Sequence, residues 1–203
     1  GNYGLDAKIQ KSLDEALKAE FPGADLKLSE SSMVEPFFGR RFLRNGIAAI
    51  LIASFFVVIY VWIRFRKIGG LSAGVMALVA LLHDIVVVFI TCIIFKIPIG
   101  DSFVAVALTI IGYSINDTIV IFDRIRENMR FMRKVSYEEL ANASISQSLA
   151  RSINTSLTTL LTITALYILG VSAVKELALP LIIGILSGTY SSLFIASPIW
   201  VML

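Results

Sequence analysis

Two carboxylates and one guanidinium, set in stretches that are otherwise apolar, are the groups in this sequence with chemistry to perform. Asp117 lies in "GYSINDTIVIFDRIREN", Gly112 to Asn128, beside Asn116 and before the apolar run opened by "FVAVALTII" has ended. Asp84 lies in "LLHDIVVV", next to the only histidine of the chain, His83. The other acids sit in the N-terminal segment, in loops or at the ends of apolar runs. An acid inside hydrocarbon costs about 2.5–3.5 kcal/mol on insertion scales, so each of these two needs a reason to be there. A cation is available to Asp117. In "QSLARSINTSLTTLLT", Ser148, Arg151, Ser152, Thr155, Thr158, Thr159 and Thr162 fall along one helical face, a polar stripe with Arg151 at its loop end. Runs joined by a loop on one side of a membrane are antiparallel, so Asp117 and Arg151 are expected at comparable depth and in reach of one another.

Proton exchange is the chemistry such a pair supports. Burial favours the neutral form of a carboxyl group and a nearby guanidinium favours the anion. Moving Arg151 toward or away from Asp117 would switch the acid between releasing and holding a proton. A proton crossing the membrane potential releases about 2.3 kcal/mol per 100 mV, enough to bias a conformational equilibrium with a gap of a few kcal/mol. Asp84 has two readings: a member of the same proton path with His83 as partner, or a protonated side chain that hydrogen-bonds between helices.

The elements that must position these groups are membrane spans. The chain has 203 residues, 57% hydrophobic and 16% charged, with a mean hydropathy of +0.82. Apolar runs long enough for a hydrocarbon core of about 30 Å, which takes roughly 20 helical residues, are expected at Phe42–Ile63, Leu71–Phe95, Phe103–Phe122, Ile153–Val174 and Leu177–Met202. Ser136 and Glu139 in "SYEE" form a capping box, and the helix it starts is expected to run unbroken into the fourth span. Arg64, Arg66 and Lys67 follow the first span, and Arg124, Arg126, Arg130, Arg133 and Lys134 occupy the third connection, against Lys96 and Lys175 in the second and fourth. By the positive-inside rule the first and third connections are cytoplasmic, with the N-terminal segment outside and Leu203 inside. Arg40, Arg41 and Arg44 run against that trend. Gly184 and Gly188 in "GILSG", with Ser187 and Ser191, make a close-approach face on the last span, and Pro198 falls near its end.

Residues 1–40 are of different composition. Leu5, Ile9, Leu13 and Leu17 repeat at helical spacing and "FPG", Phe21 to Gly23, closes that helix; "ADLKLSES" then alternates as a half-buried strand does. One helix and one strand cannot enclose a core. The fold expected is therefore an all-α polytopic membrane domain, 41–203, preceded by the end of an α+β extracytoplasmic domain. The net charge of +3 flanks apolar runs and forms no patch with exposed aromatics, which argues against nucleic acid. Cys92 stands alone and says nothing of redox compartment. Neither a Gly-rich phosphate loop, a metal-ligand cluster nor a Ser/His/Asp set is present, so neither an enzyme nor a metal site is expected.

"GYSINDTIVIFDRIREN" followed by "RSINTSLTTLLT", with "LLHD" and "VEPFFGRRFLRNGIAAILIASFFVVIYVWIRFR" before them, resembles the SecF family of protein-export membrane proteins, or the SecF half of a fused SecDF, within the RND superfamily. The resemblance covers the chain from Glu35 onward. It implies six spans with an extracytoplasmic ferredoxin-like domain after the first, of which residues 1–40 would be the end. It also implies an accessory of the Sec translocon in the bacterial cytoplasmic membrane that uses the proton-motive force to draw preproteins outward. Its partners would be SecD, the SecYEG translocon and the preprotein, with the proton gradient in place of any cofactor. The family's proton-path acid and arginine map onto Asp117 and Arg151, and Asn116 and Asp84 join the expected proton pathway, lined by Ser148, Ser152, Thr155 and Thr159. The competing class is an RND-type exporter of small molecules or lipids. A scaffold without ion flow is the other, and it predicts that Asp117 tolerates Asn.

Overall fold

The structure, a computed structural model, describes residues 7–20, 36–132, 134–170 and 172–202. The chain divides into two units, Gly1–Asn45 and Gly46–Leu203. The first holds α1 (Ala7–Glu20) and the start of α2 (Pro36–Arg64). Helix α1 ends one residue before "FPG", as the sequence signals, and Leu13 and Leu17 on it are exposed. The expected strand lies outside the described residues.

Among the described residues, the regular elements of the second unit are all helical: the rest of α2, a 3₁₀ turn Arg66–Ile68, α3 (Gly70–Ile94), α4 (Asp101–Phe131), α5 (Tyr137–Leu169), α6 (Ser172–Ser191), a π-helical turn Ser192–Ala196 and α7 (Ser197–Val201). Stretches long and apolar enough to cross a membrane are Arg44–Arg64, Gly70–Ile94, Asp101–Phe131, Tyr137–Leu169 and Val174–Val201. Leu51, Phe55, Phe56 and Ile63 on α2 are exposed. In water that surface would drive aggregation; in hydrocarbon it is the ordinary outside of a span.

The fourth and fifth spans fall earlier than hydropathy alone places them. Helix α5 ends at Leu169, where Gly170 turns extended (φ −76°, ψ 159°), and the last span already begins before Lys175 and Glu176. The two charges mark the first turns of a helix, where hydropathy reads them as a loop. At its other end α5 starts as expected. Ser136 Oγ accepts from the Glu139 N–H and Glu139 answers to the Ser136 N–H, satisfying two of the donors that a helix start leaves open.

Helix α6 packs against α3, α4 and α5. Glycine permits this: a Cβ on Gly188 would stand 3.0 Å from Ser114 Cβ, and one on Gly184 would collide with Ile110. Before Pro198 the chain widens into the π turn, with Ser197 Oγ donating to the Ser192 carbonyl at 3.2 Å. A proline ring clashes with the carbonyl four residues back, so a wider turn ahead of Pro198 has a steric cause. At the arginine-rich end Phe65, Phe122 and Trp200 meet edge to face, with centroids 5.7 and 6.0 Å apart, and Trp200 Nε1 donates to the Ile68 carbonyl. Gly69, at φ 79°, makes the left-handed turn into α3. These contacts fix the relative heights of α2, α3, α4 and α7, and with them the levels of Asp84 and Asp117.

Candidate functional site

The two intramembrane acids are both buried, and their surroundings differ. Asp84 is wholly enclosed. Its Oδ2 accepts from Ser114 Oγ at 2.7 Å and Ser191 Oγ at 2.8 Å, and its Oδ1 from Ser187 Oγ at 2.7 Å. His83 Nδ1 lies 3.1 Å from Oδ1, and the ring packs beside Tyr190. Both carboxyl oxygens act here as acceptors, at ordinary hydroxyl hydrogen-bond lengths. Asp84 on α3 thereby ties α4 and α6 together at one level.

Asp117 on α4 is 2% exposed, and its Oδ2 has no hydrogen-bond partner. Ser152 of α5 and Thr189 of α6 turn their hydroxyls toward the carboxyl group, yet Ser152 Oγ, itself buried, is likewise without a bonding partner. Thr189 Oγ1 is already engaged with Ser156 Oγ at 2.6 Å and the Ile185 carbonyl at 3.0 Å. A buried polar atom left unpaired costs about 1–3 kcal/mol, and such exceptions concentrate where groups change state. Once protonated, the Asp117 carboxyl would gain a donor, and Ser152 Oγ stands on the facing helix able to accept.

The register of α4 against α5 decides where Arg151 falls. Tyr113 Oη donates to the Thr155 carbonyl at 3.1 Å and bonds Thr159 Oγ1; Arg124 Nε reaches Gln147 at 2.6 Å and Asn128 Nδ2 reaches Ser144 at 2.9 Å. Ser152 therefore faces Asp117, and Arg151, the next residue of the same helix, lies at nearly the same height but leaves α5 about 100° round its axis, away from Asp117. Arg151 is exposed and lines a cleft of about 600 Å³ with Asp123, Arg124, Arg126, Glu127 and Arg130. Among the described residues no ion pair joins Arg151 to Asp117.

The expected stripe on α5 divides. Ser148 and Ser152 are buried against α4, in line with Ser144 and Ser156 at four-residue spacing. Thr155 and Thr159 are half-buried, Thr158 and Thr162 exposed, and each of the four donates to a carbonyl three or four residues earlier in its own helix. Asn116 points to the outside of α4 and is exposed. Ser114, the partner of Asp84 on α4, and the Thr118–Ser192 hydroxyl pair beside it at 2.9 Å were not singled out by sequence. Their signal is a four-residue spacing of hydroxyls, Ser114 with Thr118 and Ser187 with Ser191, within apolar runs.

Residues 14–203 match the family model described as protein export membrane protein SecD/SecF, C-terminal. The chain is 41% identical over 200 residues to the protein translocase subunit SecF of Alicyclobacillus acidocaldarius, covering 97% of this chain and 63% of that one. To the subunit of the same name from Thermobaculum terrenum it is 43% identical over 190 residues, covering 91% of this chain and 59% of that one. The chain thus spans about three-fifths of the length of these relatives. A crystal structure of SecDF from Thermus thermophilus, titled a translocon-associated membrane protein, superposes with a TM-score of 0.84 at 38% identity, over 96% of this chain and 26% of that one. A crystal structure of SecDF in a super-membrane-facing form gives 0.77 at 35% identity, over 98% of this chain and 26% of that one.

Proposed function

Because the chain belongs to the SecD/SecF family of protein export membrane proteins, we propose that it serves the Sec translocon by coupling the proton-motive force to the late movement of preproteins, with Asp117 as the group that takes and gives the proton. The observation that carries this is the contrast between the two acids. Asp84 holds three hydroxyl donors, whereas Asp117 is buried with one oxygen unpaired. Two acids in such different surroundings divide the roles between them. Asp84 is the fixed hydrogen-bonding hub, and Asp117 the acid that changes.

Arg151 is the moving partner. Near the height of Asp117 but turned to the cleft, it can approach when α5 rotates or tilts against α4, stabilise the anion and so release the proton. Small rotations and shifts of packed helices are a known way to convert a local charge event into motion. Ser152 and Ser148 line that route on the α5 side. The assembly would comprise SecD, the SecYEG channel and the preprotein, in the cytoplasmic membrane of a bacterium with the arginine-rich connections inside. No cofactor beyond the proton gradient enters.

The test is preprotein export in cells whose only copy of the full-length protein carries Asp117→Asn, at matched membrane abundance, with and without collapse of the proton-motive force. Export slows and loses most of its dependence on that force. Asp84→Asn slows export less and keeps the dependence. Wild-type behaviour of Asp117→Asn in both conditions replaces this reading with that of a scaffold.

A further inference from the structure

We propose that the cleft between α4 and α5 at the arginine-rich end binds the phosphate of an anionic phospholipid headgroup. The inference shares Arg151 with the proton reading but does not rest on it, since it concerns anion binding at the mouth of the cleft and not proton exchange at Asp117. Four guanidinium groups, of Arg124, Arg126 and Arg130 on α4 and Arg151 on α5, line the space, against the two carboxylates of Asp123 and Glu127. Those carboxylates are already engaged. Asp123 is held by Arg64 at 2.9 Å and Arg126 at 2.8 Å, and Glu127 by Arg124 at 2.7 Å. Arg151 meets no carboxylate among the described residues, so the cleft keeps a positive excess facing a space of about 600 Å³.

Depth selects the anion. The 31-residue helix α4 is about 46 Å long, against a hydrocarbon core of about 30 Å. If the apolar stretch that ends near Phe122 fills that core, Arg124 to Arg130 emerge at the level of lipid phosphates. The planar fork of arginine suits phosphate, binding two oxygens at once. Basic pockets between spans at this level are where acidic headgroups lodge. A free phosphate offers the same oxygens but nothing to hold it at the bilayer border, so a tethered phosphodiester is the occupant inferred.

The experiment uses the full-length protein in detergent, observed by native mass spectrometry with short-chain phosphatidylglycerol, phosphatidylcholine of equal chain length, and inorganic phosphate as competitor. The wild type retains one phosphatidylglycerol about tenfold more tightly than phosphatidylcholine, and inorganic phosphate at equal concentration does not displace it. Arg124→Gln with Arg130→Gln weakens phosphatidylglycerol roughly tenfold to thirtyfold and removes the preference. Arg124→Lys with Arg130→Lys, which keeps both charges, retains most of it. An equal affinity of the wild type for the two lipids overturns the proposal, and so does a preference that survives the double glutamine change. Displacement by inorganic phosphate at equal concentration overturns the lipid as occupant, leaving a site for soluble anions. The competition on wild-type protein decides the matter even where the double variant folds poorly.

Discussion

Replacing Asp84 probes the three-hydroxyl hub. In Asp84→Asn one oxygen becomes an NH₂ group. The least costly placement keeps the amide oxygen toward Ser114 and Ser191 and turns Nδ2 toward Ser187, whose hydroxyl must then accept where it now donates. Interhelical hydrogen bonds in membranes average about 0.6 kcal/mol and reach about 1–2 in model peptides, so Asn costs about 1–2 kcal/mol. Asp84→Leu removes all three acceptor contacts at once. At 0.6–1.5 kcal/mol each, that comes to about 2–5 kcal/mol, with the lower part of the range favoured because Ser191 can fall back on the Gly188 carbonyl at 3.2 Å. The assay is reversible unfolding of the full-length protein in mixed micelles, followed by tryptophan fluorescence. The order wild type, Asn, Leu is expected, and adding Ser187→Ala to Asp84→Leu costs less than Ser187→Ala does alone. A Leu variant as stable as wild type, or a Ser187→Ala cost that is fully additive, refutes the hub.

Two further perturbations address the packing and capping around the site. Gly188→Ala places a methyl group 3.0 Å from Ser114 Cβ, pushing α4 and α6 apart or displacing the serine from Asp84; a loss of about 1–3 kcal/mol is expected in the same unfolding assay, and none if the helices part without cost. Ser136→Ala removes the cap of α5, which costs about 1 kcal/mol. It appears as faster amide exchange confined to the first turn of α5, and unchanged exchange there contradicts the capping geometry.

Much of the fold was legible because its signals are physical and local. Five continuous apolar stretches of about 20 residues read as helices, since hydrocarbon leaves a backbone only helices or closed barrels and a barrel strand is about half that length, and the Ser136–Glu139 box announced the start of α5. Hydropathy misplaced the junction between α5 and α6 because Lys175 and Glu176 read as a loop, while the break itself comes from Gly170. At the site, charge inside an apolar run revealed Asp84 and Asp117. Their difference was not legible, because it depends on which hydroxyls three other helices deliver. Ser114, Ser187 and Ser191 converge on Asp84 from residues up to 107 positions away. Arg151 was found by type and approximate depth, but antiparallel pairing fixes height and not direction, and here it is Ser152 that faces Asp117 while Arg151 turns to the cleft.

The most direct test of the central claim is infrared spectroscopy of the full-length protein in lipid, following the carboxylic-acid C=O stretch as pH is varied. The account predicts a protonated-acid band that appears and disappears with pH, is absent in Asp117→Asn, and remains in Asp84→Asn. A titrating band that survives in Asp117→Asn, or is lost only in Asp84→Asn, contradicts it.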